Sequence, residues 1–117
     1  MIELLILNYL KGEGFEAYMQ MPAKSPSFPF VIIEKTGSSR YNRINTSTIA
    51  IQSYADTMYE AAVLNDQVKT AMEAAVELDE IAKVSLNSDY NFTDTRTKRY
   101  RYQAVFDITH YDFLKGE

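Results

Sequence analysis

The chain has no cysteine and no tryptophan, a single histidine (His110), and only four glycines and three prolines among its 117 residues. Without cysteine there can be no disulfide, thiolate zinc site, iron–sulfur cluster or cysteine nucleophile. One histidine leaves too little for a nitrogen-ligated metal centre, so no metal and no other cofactor is expected. Positive charge is also scarce. Twelve Lys and Arg against 16 Asp and Glu give a net charge of −4, and that field favours neither a nucleic-acid backbone nor an anionic membrane. Long apolar runs are missing as well. Residues 1–10 are apolar, but they carry Glu3, lack a basic leader and are too short to span a bilayer. Neither a secretion signal nor a membrane helix is expected, and the chain is expected to remain in a reducing cytoplasm.

What is present suits a folded domain. Hydrophobic residues make up 46% and charged residues 24%, the balance of a globular protein rather than of a disordered one. The length predicts one domain over residues 1–117.

Ile2, Leu5, Ile6, Tyr9 and Leu10 recur at helical spacing until Gly12 and Gly14 interrupt them, which predicts a short amphipathic helix. A strand over 15–20 precedes Pro22, Pro26 and Pro29, which forbid a helix there. The β-branched run in 30–34 predicts a buried strand, and Gly37, Ser38 and Ser39 read as its turn. Alternation over 44–54 predicts a third strand. Thr57 and Glu60 have the spacing of a capping box, and Ala61, Leu64, Val68, Ala71 or Met72, and Ala75 form the apolar stripe of a helix running to about residue 77. Val84, Leu86, Ser88, Tyr90 and Phe92 alternate as a half-buried strand, and 99–110 alternate as the longest strand of all. The expected fold class is α+β, in the order α-β-β-β-α-β-β, a mostly antiparallel sheet with two helices packed on one face. Residues 21–29 and 37–47 read as long polar loops, segments more often used for binding than left over.

Several constellations have more than one reading. Arg96, Lys98, Arg99 and Arg101 are interleaved with Tyr100 and Tyr102. Cations with stacking rings suit single-stranded nucleic acid, yet alternation sends Arg99 and Arg101 to the face opposite the two tyrosines. A solvated or subunit-facing strand is the other reading. Arg40, Tyr41 and Arg43 lie in the second polar loop; Arg and Tyr are residues that anchor interfaces, and a mobile soluble tip is the bland alternative. Glu73, Glu77, Asp79 and Glu80 gather at a helix C-terminus, where the dipole disfavours negative charge. They are either a solvated helix end or part of a surface that needs negative charge. His110 is in register with Phe106 and Ile108 and reads as a hydrogen-bonded core or edge histidine. No Gly-x-Ser-x-Gly elbow would make it the base of a serine hydrolase, and no catalytic residue is assigned.

Read as a whole, the chain resembles the small tail-terminator or tail-completion (minor tail) proteins of long-tailed bacteriophages and prophages, the lambda-type tail terminator among them. The resemblance rests on Ile49-Ala50-Ile51-Gln52-Ser53-Tyr54-Ala55-Asp56 leading into the Ala- and Val-striped helix. Leu86-Asn87-Ser88-Asp89-Tyr90-Asn91-Phe92 and Lys98-Arg99-Tyr100-Arg101-Tyr102-Gln103-Ala104-Val105-Phe106-Asp107-Ile108 complete it. It implies a non-enzymatic α+β protomer that closes with copies of itself into a ring, usually a hexamer, on the end of the tail tube. Such a ring stops tube growth and gives the head connector or neck protein a surface to join, first in the bacterial cytoplasm and then in the virion tail. Its partners would be itself, the tail-tube protein and the connector, with DNA only in transit and no membrane. Arg40, Tyr41, Arg43, Arg99 and Arg101 become its expected protein-interface residues, and Glu73, Glu77, Asp79 and Glu80 its expected lumen, since a cationic lumen would hold passing DNA. The competing expectation is a nucleic-acid-binding regulator that uses the basic 96–101 segment.

Overall fold

The computed structural model describes residues 1–111. Helix α1 (Ile2–Gly12) precedes the two-residue strand β1 (Ala17–Tyr18), the long strands β2 (Phe30–Tyr41) and β3 (Ile44–Ala55), helix α2 (Met58–Ala74) with a short 3-10 turn after it, and strands β4 (Ile81–Asn91) and β5 (Tyr100–Tyr111). The strands form one sheet in the order β1-β2-β3-β5-β4; β1 runs parallel to β2 and every other pairing is antiparallel. This is the expected α+β class and element order.

Both helices cover the same face of the sheet. Val31 and Ile33 of β2, Ile49 and Ile51 of β3, and Ala104, Phe106 and Ile108 of β5 point to it and pack with Ile6 and Leu10 of α1 and with Leu64, Val68 and Met72 of α2. The stripe predicted for α2 is therefore its buried face. The Thr57 hydroxyl accepts the N–H of Glu60 at 3.1 Å, which caps the helix start as the spacing predicts. Two polar ties fix the helices: the Tyr9 hydroxyl donates to the Ala71 carbonyl at 2.7 Å, and Lys69 bridges Asp66 at 3.3 Å and Asp89 of β4 at 3.2 Å.

The structure corrects three expectations. Residues 37–47 are not a loop. β2 continues to Tyr41 and pairs with β3 as far as Tyr41↔Ile44, and the turn is Asn42-Arg43, both at positive φ (51° and 67°). This is the two-residue geometry that matches strand twist. Gly37 marks a register shift beside the unpaired Thr36, a bulge rather than a turn, and Gly37, Ser38 and Ser39 pair with Thr48, Ser47 and Thr46 of β3. The strand expected over 15–20 shrinks to two residues, since it pairs only with the start of β2. Finally, β4 does not alternate evenly. Leu86 pairs with Phe106 but Ser88 with Val105, so the extra residue Asn87 reverses the faces. Val84 and Leu86 lie on the helix side, and Tyr90 and Phe92 on the other.

Candidate interaction surface

No helix covers the second face of the sheet among the described residues, and its side chains form transverse rows. The first row crosses β2, β3 and β5 and ends on Phe92, one residue past β4. Phe30 pairs with Tyr54 and Tyr54 with Arg101, and the N–H of Phe92 reaches the Arg101 carbonyl at 2.9 Å. Their side chains stack in the same order. Phe28 lies 5.5 Å from Phe30 and Phe30 4.8 Å from Tyr54, both pairs stacked with nearly parallel rings. The Arg101 guanidinium sits between rings, 5.6 Å from the Tyr54 centroid and 4.5 Å from that of Phe92. It donates through Nε to the Phe92 carbonyl at 2.7 Å and through a terminal nitrogen to the Tyr54 hydroxyl at 2.8 Å. Rings with a cation over their faces gain electrostatic attraction as well as area.

The second row is polar. Gln52 donates to Gln103 at 2.9 Å, the Gln103 amide donates to the Tyr90 hydroxyl, and the Tyr54 hydroxyl donates to Gln52 at 3.3 Å, joining the rows. Further along, Asp107 accepts from Thr48 at 2.9 Å and from Asn87 at 3.0 Å. The face is thus a connected polar and aromatic surface whose groups largely satisfy one another.

The expected site residues fall in three places. Arg99 is exposed beside the turn that joins β4 to β5, and Arg101, two residues on, is half-buried in the aromatic row. The alternation that parts Arg101 from Tyr100 and Tyr102 holds, but it does not part Arg101 from rings. Tyr54 and Phe92 come to it from neighbouring strands, and Phe92 does so because of the bulge at Asn87. Arg96 and Lys98 are exposed on the same turn. There the Asp94 carboxylate accepts the Arg96 N–H at 3.0 Å, and this bond, followed by one from the Thr97 hydroxyl, holds the Asp94 pKa below its ordinary value.

Arg40, Tyr41 and Arg43 occupy the far end of the sheet, at the tip of the β2–β3 hairpin. Every β2 residue from Glu34 to Tyr41 is exposed, so the outer half of β2 is an arm along the open edge of the sheet, tied back by Lys35 to Glu3 of α1 at 3.8 Å and through β3 to β5 as far as Ile44↔Tyr111. Tyr41 is 79% exposed and Ile44 and Tyr111 stand near it, also exposed. Glu73, Glu77 and Asp79 are exposed around the end of α2, while Glu80 is half-buried and its carbonyl accepts the N–H of Tyr111 at 3.0 Å.

His110 is the buried, hydrogen-bonded histidine its register implies, with a partner the sequence does not indicate. Ser47 Oγ and His110 Nε2 are hydrogen-bonded at 2.8 Å beside a cavity of about 290 Å³ that Glu3, Lys35 and Arg40 also line. Burial, chiefly, lowers the imidazole's pKa. Ser47 lies within β3, which has a paired neighbour on each side (Ser38 and Ile108), so its backbone offers no spare N–H donors to stabilise an oxyanion. The pair closes the polar end of the core.

On the helix side a groove of about 750 Å³ runs between the end of α1, the start of β2 and the middle of α2. Phe15, Pro29 and Leu64 line it with Glu13, Glu16 and Asp66, and no basic residue does. Sequence reading had no signal for this groove, since its walls come from segments some fifty residues apart. No helix of the described residues is long and apolar enough to cross a membrane. No protein-family model and no curated protein matches this chain.

Proposed function

We propose that the chain is a non-enzymatic assembly protein that forms a ring on the end of a phage tail tube, stops its growth and offers a surface for joining the head. The observation that carries this reading is the exposed arm. Ordering each residue costs about 1–2 kcal/mol of backbone entropy, and the outer half of the β2–β3 hairpin has no buried side chain on β2 to offset it. An arm held extended in this way suits contacts between subunits. The helix-free face adds an ordered surface of satisfied polar groups, with Tyr and Arg as anchors. In the ring, Arg40, Tyr41, Arg43 and Arg99 serve contacts between proteins, and Glu73, Glu77, Asp79 and Glu80 face the path of DNA, where like charge keeps the polymer from sticking. A nucleic-acid-binding role for 96–101 is the weaker reading, because Arg101 is half-buried between rings and held by hydrogen bonds to Tyr54 and Phe92.

Light scattering over a range of concentrations, with and without tail-tube protein, tests the proposal. The expected result is a mass several times that of the protomer, and tubes whose lengthening stops when the protein is added. Tubes that grow unchanged in its presence would overturn the reading, as would tight duplex-DNA binding that weakens steeply with salt.

A further inference from the structure

We infer that the hairpin tip of one copy docks in the acidic groove of the next, so that copies join head to tail. This deepens the assembly reading above and rests on it. The groove has the composition to receive such a tip. Its apolar lining, Phe15, Pro29 and Leu64, suits a ring, and three carboxylates stand at its walls: Glu13, Glu16, which accepts the Tyr18 hydroxyl through one oxygen, and Asp66, which Lys69 bridges at 3.3 Å. The tip offers the complement. Tyr41 projects with 79% of its surface exposed, and Arg43 follows it two residues later in a tight turn at φ 67°. A tyrosine supplies large apolar area at low entropic cost, and an arginine beside it pairs with carboxylates; these are the residues that dominate binding energy at interfaces.

The tip cannot fill its own groove. The groove is lined by Pro29, Phe30 and Val31 at the start of β2, and the tip lies at the strand's other end. Tyr41 lies ten residue steps along the strand from Val31, roughly 33 Å at about 3.3 Å per step, in a body whose longest extent is 44 Å. Occupancy therefore requires a second copy. Since tip and groove are different surfaces, a joined pair still presents one free tip and one free groove, and the contact repeats until rotation closes a ring.

The experiment mixes two complementary variants. Tyr41→Ala combined with Arg43→Glu disables the tip, and Glu13→Lys combined with Glu16→Lys disables the groove. Each is expected to remain monomeric alone, with self-association weakened by about 30-fold or more. Mixed one to one, they retain a single usable junction, the intact tip of the groove variant in the intact groove of the tip variant. A discrete heterodimer in light scattering is the expected product. All four positions are exposed, and an unchanged melting temperature confirms that each variant folds. Variants that associate like the unaltered chain, a mixture that stays monomeric, or an unaltered chain that is monomeric at every concentration would each overturn the docking. Failure of the assembly reading looks different, because copies then still join through tip and groove but do not arrest tail tubes.

Discussion

Arg99 and Arg101 are two residues apart in sequence and differ in almost everything else. Arg101 gives two hydrogen bonds and lies against two rings, whereas Arg99 is exposed at the turn. Replacing Arg101 with Ala is expected to destabilise the fold by about 1–3 kcal/mol, and Arg99→Ala to change it by no more than about 0.5 kcal/mol; urea unfolding of the two variants separates them. If Arg101→Ala unfolds like the parent, the aromatic row is not holding β4 to the sheet. His110 carries a second residue-scale prediction. Burial, chiefly, lowers its pKa, with Lys35 acting in the same sense against a hydrogen bond to the Tyr111 backbone and the Glu3 carboxylate. The folded protein then binds fewer protons than the unfolded chain just below the ordinary imidazole value of about 6.5. Its contribution to stability is complete above that pH and is lost as pH falls through the lowered folded-state value. Urea midpoints are expected to drop between pH 7.5 and 5.5, and less so in His110→Gln. An equal drop in the variant would assign the slope to other groups.

At the scale of elements, the two bulged strands decide which surfaces exist. The bulge beside Thr36 lets β2 run on past Gly37 into the arm, and the one at Asn87 turns Tyr90 and Phe92 to the open face. The arm's turn carries a conflict of its own. Asn42 accepts positive φ readily, but Arg43 at 67° does so against the steric cost of a side chain, about 1 kcal/mol. Arg43→Gly is expected to raise the stability of the dissociated protein by about that amount, because Asn-Gly is the preferred pair for this turn. The same substitution is expected to weaken self-association. Melting temperature and light scattering read the two effects separately, and a variant that gains stability without losing association would mean that the arginine is not spent on assembly.

On the scale of the whole molecule, an arm and a groove at opposite ends make an elongated protomer of 44 × 26 × 22 Å with two unlike ends. In an assembled ring the amides of β2 from Glu34 to Tyr41 are expected to exchange with solvent far more slowly than in dissociated protein, since a neighbour covers them. Hydrogen exchange on both forms measures this. Strong and equal protection in the two would mean that the arm is complete without a partner.

Much of this was legible in the sequence. The apolar stripe of α2, its Thr57 cap, the β-branched run of β2 and the long alternation of β5 each follow from local periodicity, because a side chain's face is set by its neighbours three, four or two residues away. Composition alone removed cysteine chemistry. What local pattern could not give was register. Residues 37–47 read as a loop because Gly and Ser are turn residues by propensity, and only pairing with β3 shows them to be strand. Even alternation placed Phe92 with Val84, and a single extra residue at Asn87 put it over Arg101 instead. The acidic groove and the Ser47–His110 pair join segments distant in sequence. Periodicity is a property of one segment at a time, whereas register, bulges and grooves arise when segments meet, so the sequence determined the elements and their buried faces, and tertiary structure decided which side chains share a surface.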